Sequence, residues 1–149
     1  MTNQEAFDTN LSIGEKSEEI FIEKMKDRYS LIEKVSGEFK YFDIIAVKPD
    51  GSVVRIEVKH DADYMKTGNV PIEIGHRGKE SGLKTSTADV WIMHLKDSGF
   101  WFAKGDVLKN CLLGHSEPLY KVYPGDGEDK SELILIPIES FKKIFKKLF

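Results

Sequence analysis

Two strand-favouring runs joined by a tight turn constrain this chain more than any other feature. Phe39 to Val47 is nearly unbroken in aromatic and β-branched residues, and Val53 to Val58 is a second such run. Pro49-Asp50-Gly51 stands between them. Runs of this kind around a Pro-Asp-Gly turn predict a β-hairpin. With the turn centred near Asp50, residues whose numbers sum to about 100 face one another across the antiparallel pair. Asp43 then faces Glu57. Strand side chains alternate faces, so Glu57 and Lys59 share one side and Val58 takes the other.

Three ionisable groups therefore converge on a strand pair that otherwise reads as buried. Two carboxylates that close cannot both stay ionised cheaply. Either one takes a proton, or a cation sits between them. Oxygen ligands of this type suit Mg²⁺, typically held by one or two carboxylates together with waters and substrate phosphate oxygens. A plain cross-strand salt bridge is the competing reading. Glu-x-Lys occurs three times, at Glu38 to Lys40, Glu57 to Lys59 and Glu128 to Lys130. Only the second follows an apolar alternation and has a facing aspartate.

Upstream, Ile13, Ser17, Ile20, Phe21 and Met25 recur at helical spacing. Ser12 is the expected N-cap, with Glu15 three residues on. Glu18 flanks the apolar stripe and could reach the edge of the sheet, whereas Glu19 and Glu23 fit a solvated face. Downstream, Asn69 to Ile74 reads as a third strand. Residues 75–89 are rich in Gly, Ser, Thr and Lys, with at most a short helix near Leu83 to Ala88. Val90 to Leu95 and Phe100 to Ala103 form a second hairpin around Lys96-Asp97-Ser98-Gly99, and Asp106 is expected to cap a helix reaching Leu113. Leu119 to Tyr123 and Leu133 to Ile138 add strands. A final amphipathic helix sets Phe141, Ile144, Phe145, Leu148 and Phe149 against Lys142, Lys143, Lys146 and Lys147.

Asp43 followed by Glu57-x-Lys59 after a hairpin-length gap resembles the PD-(D/E)xK nuclease superfamily. The order of elements agrees: a leading helix, the Asp strand, then the Glu-x-Lys strand. The Pro that precedes the Asp in that superfamily is replaced by Phe42. Gly14-Glu15-Lys16-Ser17-Glu18 is similar to the Gly-x-x-x-Glu helix that opens archaeal-type Holliday junction resolvases. Gly68 to Glu73, Arg77-Gly78-Lys79-x-Ser81-Gly82 and Ala88-Asp89 resemble small phage nucleases. The likeness covers roughly residues 12–103. It implies an α/β, restriction-endonuclease-like core, a mixed central β-sheet flanked by helices, within a single domain over 1–149. The superfamily usually places a longer crossover helix where residues 75–89 stand, so that stretch departs from the pattern.

The resemblance also implies an activity. Asp43, Glu57 and the Val58 backbone carbonyl would hold Mg²⁺, with Mn²⁺ able to substitute. Lys59 would orient or help deprotonate the attacking water, and Glu18 would complete an outer shell. The expected reaction is phosphodiester hydrolysis by a DNA endonuclease selective for branched structures. Junction resolution needs two active sites, hence a homodimer. Two alternatives come from other classes: a catalytically silent nucleic-acid-binding or assembly protein on the same fold, and a dimeric structural module.

Composition bears on these readings at a few points. With 149 residues the chain can bury a sizeable core, and 40% hydrophobic against 32% charged residues excludes disorder. The net charge of −3 runs against nucleic acid, but the charge is segregated: residues 1–30 hold seven acids and four bases. Basic and polar groups gather in the central loops, where Lys66, His76, Arg77, Lys79, Lys84, Thr85 and Ser86 are the expected DNA contacts. His60, beside Lys59, is a second histidine expected near the substrate, whereas His94 alternates with core positions. Gly75-x-x-Gly78-Lys79 lacks the P-loop spacing. The lone Cys111 excludes an internal disulfide or a thiolate zinc site. No apolar run is long enough to span a membrane, and Met-Thr-Asn-Gln-Glu is not a signal peptide. A cytoplasmic setting is expected, the host cytoplasm if the chain is phage-encoded.

Overall fold

A computed structural model describes residues 3–36, 41–117, 119–125 and 130–149, with side chains from Ile13 onward. Helix α1 (Asn3–Met25) leads into a 3₁₀ turn (Lys26–Arg28) and strand β1 (Leu31–Lys34). Then follow β2 (Ile44–Val47), β3 (Val53–Asp61), α2 (Tyr64–Thr67), β4 (Asn69–His76) and β5 (Lys79–Glu80). A 3₁₀ turn (Gly82–Lys84) precedes β6 (Val90–Leu95), β7 (Gly99–Lys104), α3 (Gly105–Leu113), β8 (Lys121–Tyr123), β9 (Ser131–Pro137), α4 (Ile138–Ile144) and β10 (Lys146–Lys147). One sheet has the order β1-β2-β3-β6-β7-β10 and a second the order β5-β4-β9-β8. Only β3 and β6 run parallel in the first sheet, which makes it mixed.

The β2–β3 hairpin forms in the expected register. Ile44 pairs with Ile56, Ile45 with Arg55, Ala46 with Val54 and Val47 with Val53. Its turn closes through Gly51 N–H donating to the Lys48 carbonyl at 2.9 Å, with Gly51 at φ +89°, where a side chain would strain the backbone. Asp50 Oδ1 accepts from both the amide and the hydroxyl of Ser52, at 2.9 and 2.7 Å. A local side-chain bond thus sets the turn that aligns Ile44 with Ile56 and brings Asp43 beside Val58.

Alternation sorts the first sheet into two apolar faces. Ile44, Ala46, Val54, Ile56, Val58 and Ile92 pack against Phe21 and Met25 of α1. Trp91, Met93, Leu95 and Ala103 pack the other way, against Val70, Ile72, Ile74, Ile134 and Ile136 of the second sheet and Leu108, Leu112, Phe141 and Phe145 of the carboxyl-terminal half. The result is three layers, α1, the mixed sheet, and the second sheet with α3 and α4.

Several expectations need correction. Helix α1 begins at Asn3, so Ser12 lies inside it rather than at its cap. The buried stripe of α1 is narrower than its periodicity predicts: Ser17, Phe21 and Met25 are buried, while Ile13 and Ile20 are 36% and 43% exposed. Strand β2 starts at Ile44, past Tyr41, Phe42 and Asp43; Phe39, Lys40 and the first Glu-x-Lys lie outside the described residues. Strand β1 has no clear sequence signal, because Leu-Ile-Glu-Lys is short and half-exposed. Between Leu83 and Ala88 there is one 3₁₀ turn and no helix. The first residue before α3 is Lys104, with no side-chain cap, and Asp106 sits in the first turn, its Oδ1 accepting from Val107 N–H at 2.7 Å. The carboxyl-terminal helix stops at Ile144. Lys146 and Lys147 then pair with Phe102 and Trp101 as an edge strand. Among the described residues no helix is long and apolar enough to cross a membrane.

Candidate active site

The site lies just before β2 begins, where β3 continues past it. Pairing between the two stops at Ile44 and Ile56, while β3 runs on to Asp61 with β6 alone beside it. Asp43 fills the gap. Its amide donates to the Ile56 carbonyl at 2.9 Å, and its Oδ2 accepts from Val58 N–H at 2.9 Å. The carboxylate thus stands in for the next strand residue. In an extended strand a residue's C=O leaves on the same side as its N–H, so the Val58 carbonyl also faces this opening.

Glu57 is buried, 7% exposed, and Lys59 Nζ lies 3.3 Å from its Oε1. The Val58 side chain packs toward α1, so Glu57 and Lys59 point to the opposite face, as the alternation requires. Glu18 enters from α1. Lys34 of β1 holds it at 3.6 Å and also contacts Glu19 at 3.5 Å. The four residues singled out in the sequence therefore come together from three elements, α1, the start of β2, and β3.

The electrostatics show what this convergence costs. Burial pushes the Glu57 carboxyl up to about 7; Asp43 and Glu18 add to the shift, and Lys59 opposes it. Burial likewise raises Asp43, against the Val58 N–H bond and the Lys59 charge. Glu18 is raised by burial and by Asp43, with Lys34 opposing. For Lys59 desolvation works downward, but Glu57, Asp43 and Glu73 together outweigh it and hold the ammonium above the ordinary lysine value. Asp43 and Glu57 share Lys59, Glu18 has Lys34, and all three carboxyls are still pushed toward their protonated forms.

A cleft of about 470 Å³ opens beside this centre, between α1 and the free stretch of β3, lined by Asp43 and Lys59 but not by Glu57. Its walls carry Glu15, Glu18, Asp43, Asp61 and Asp63 against Lys59, with the Val58 and His60 positions between them. Asp61 is buried and accepts from Tyr64 N–H at 2.9 Å, which starts α2. Among the described residues no three His, Cys, Asp or Glu side chains form a ready-made metal cage. What the centre offers a cation is a pair of carboxylates, a strand carbonyl and open space for water, the donor set that hard oxygen-seeking ions accept.

The expected DNA contacts divide. His76, Lys79 and Lys84 gather around a separate pocket of about 280 Å³ at the β4–β5 tip, joined by Lys130 and by Glu80 and Glu132. Arg77 is exposed at the same tip with φ +51°. Lys66 is exposed on α2, away from that group. Thr85 is half-buried, its hydroxyl on the Gly82 carbonyl at 3.4 Å. Ser86 is a correction: it is 2% exposed, and its hydroxyl bonds Tyr41 O, Ala88 N and Trp91 Nε1 at 3.1–3.2 Å. Its hydroxyl ties the loop to the core instead of facing solvent.

Sequence reasoning missed three contributors. Lys130 reads as loop surface because Glu128-x-Lys130 lies in a polar stretch. Glu73 gives no sign in the sequence of being a partner for the Lys59 charge; Ser81 and Ser131 donate to it at 3.1 and 3.2 Å, beside a bulge between Glu73 and Gly75. The third is a contact between Ser17 and His94, two residues whose spacing marks them as merely structural. No protein-family model, curated protein or solved structure matches this chain.

Proposed function

We propose that this protein is a metal-dependent DNA endonuclease with a restriction-endonuclease-like core, acting on branched DNA in the manner of a Holliday junction resolvase. The observation that carries this reading is the meeting of half-buried Asp43, buried Glu57 and Lys59 at the start of β2, with Glu18 delivered by α1. Helix α1, the β2–β3 hairpin and parallel β6 supply the core elements. The crossover from β3 to β6 runs through the second sheet instead of a long helix, a departure from the superfamily pattern.

Asp43, Glu57 and the Val58 carbonyl would hold Mg²⁺ or Mn²⁺, with Glu18 in an outer position. The bound ion supplies Lewis-acid polarisation of the phosphoryl oxygens and an acidified water. The protein's own groups do the rest. Glu57 exchanges its proton near neutral pH, so cation binding displaces that proton and tightens as pH rises. Lys59 stays charged, which makes it a donor to phosphoryl oxygens and a counter-charge to the developing transition state rather than a base. Glu18, on the wall of the same cleft as Asp43, would position solvent there.

The test challenges purified protein with four-way junction, flap, single-stranded and linear duplex DNA, in Mg²⁺ and in EDTA, while its mass in solution is measured. Paired symmetric nicks by a dimer, seen only with the metal, are the expected result. Glu57→Ala and Lys59→Ala should each cut at least ~100-fold more slowly, the loss typical of removing one group that stabilises transition-state charge. Wild-type rates in Glu57→Ala would defeat the assignment. Binding without cutting in either Mg²⁺ or Mn²⁺ would favour the silent DNA-binding protein.

A further inference from the structure

Behind the site, on the α1 side of the mixed sheet, three polar side chains form a line through otherwise apolar packing. Ser17 is 1% exposed, in the middle of α1, where serine is a weak helix former. Its Oγ lies 2.7 Å from His94 Nδ1 on β6. The His94 ring stacks on Phe100, with centroids 4.0 Å apart and planes 8° from parallel. The His60 ring meets His94 edge-on at 5.1 Å, and the two are paired neighbours on parallel β3 and β6. Burial holds both imidazoles below the usual histidine value, which keeps the line neutral near pH 7.

Each end of this line adjoins the site. Ser17 immediately precedes Glu18, and His60 immediately follows Lys59. Apolar packing by itself fixes α1 weakly around its axis, because only Phe21 and Met25 of its described apolar residues are fully buried and both lie after Ser17. The hydrogen bond to His94 is a directional contact at that level of the helix. Phe100, which backs His94, is in turn packed by Phe21 and Phe149, at 6.4 and 4.8 Å. The imidazole is therefore held in place before it grips the helix.

We propose that Ser17, His94 and His60 form a brace that indexes α1 against β3 and β6, setting the reach of Glu18 and the width of the cleft between Glu18 and Lys59. They are positioning residues, acting through Glu18. The proposal rests on the nuclease reading for its functional consequence, while the brace itself is a statement about geometry that can be tested without any cleavage.

Three single variants separate the polar link from packing. Ser17→Ala removes the hydroxyl. His94→Phe keeps a ring on Phe100 and removes the Nδ1 partner. His94→Asn loses the ring but offers a side-chain amide, able to donate or accept, near the place of Nδ1. Steady-state cleavage in Mg²⁺ is measured for each, alone and combined with Glu18→Gln. The expected result is a fall in kcat of roughly 10-fold or more for Ser17→Ala and His94→Phe, with KM unchanged and partial recovery in His94→Asn. Added to Glu18→Gln, neither should lower kcat further, since residues acting as a unit are non-additive. Full kcat in Ser17→Ala and His94→Phe, wild-type kcat in Glu18→Gln, or losses that multiply with it, would each overturn the brace.

Amide hydrogen exchange supplies the arm independent of activity. In Ser17→Ala and His94→Phe, amides of residues 14–18 should exchange at least ~10-fold faster while those of 21–25 hold, the signature of local opening. If the wild-type protein cuts no DNA, the nuclease reading fails, and this exchange pattern alone decides the brace. Unchanged exchange at 14–18 overturns it.

Discussion

Glu57 holds a proton in the folded protein across a pH range where the unfolded chain has already lost it. Burial is the main cause, with Asp43 and Glu18 adding and Lys59 opposing. A carboxyl whose folded pKa is raised makes the folded state bind more protons, so stability falls as pH rises from the unfolded value of 4.5 to about 7 and stays reduced above it. Glu57→Gln removes that penalty. At pH 8 the variant should be more stable than wild type by on the order of 2–3 kcal/mol, since each tenfold change in proton affinity is worth about 1.4 kcal/mol. At pH 4 the gain should vanish, because both states of the wild-type group are then protonated. Urea unfolding at the two pH values measures this, and a gain independent of pH would show that the Glu57 proton is not its source. Adding Mg²⁺ at pH 8 should stabilise wild type and leave Glu57→Gln nearly unmoved.

Among the elements, the carboxyl-terminal segment is where pattern and outcome part. Phe141, Ile144, Phe145 and Leu148 follow helical spacing, yet the helix closes at Ile144 and Phe145 is extended. The free edge of β7 offers backbone partners that a short isolated helix cannot match. Phe100 N–H donates to the Phe149 carbonyl at 2.8 Å, and Leu148 N–H donates to the Phe100 carbonyl at 2.7 Å. Gly99 is required there, since a Cβ would come within 2.4 Å of the Phe149 carbonyl oxygen. Deleting residues 146–149 should cost roughly 2–4 kcal/mol, from two apolar side chains partly returned to water and an unpaired strand edge. It should also loosen Phe100, and with it the ring that backs His94. Equal urea midpoints for the truncated and full chains would contradict this. The hairpin behaves differently: its turn is local, closed by the Asp50 bonds to Ser52, so its register as far as Ile44 and Ile56 was legible from the sequence.

At the scale of the molecule, the two sheets share one apolar layer. Val70, Ile72 and Ile74 of β4 and Ile134 and Ile136 of β9 pack on Trp91, Met93 and Leu95 of β6. Neither sheet can leave the other without exposing this layer, so the chain should unfold in one cooperative transition. Ile72→Ala should cost about 2–5 kcal/mol through the cavity it leaves. Tryptophan fluorescence, reporting on buried Trp91, and far-UV circular dichroism should move to lower urea together. Separate midpoints for the two probes would show that the sheets are independent units. The arrangement of strands into two sheets could not be read in advance, because the pairing that builds the second sheet, β4 with β9, joins ordinary alternating strands far apart in the chain.

The sequence by itself determined the hairpin, its register and the face shared by Glu57 and Lys59, because those depend on turn chemistry and a period of two. It also placed Glu18 on a helix and His94 among core positions. Tertiary structure alone decided that β2 begins only at Ile44 so that the Asp43 carboxylate takes the Val58 N–H, that Glu18 comes within reach of the Lys34 ammonium, that Ser86 is buried, and that Ser17 meets His94. Each of these is a contact between segments distant in sequence. Local propensity carries no information about such contacts, whereas packing two sheets and a helix around shared apolar layers fixes them.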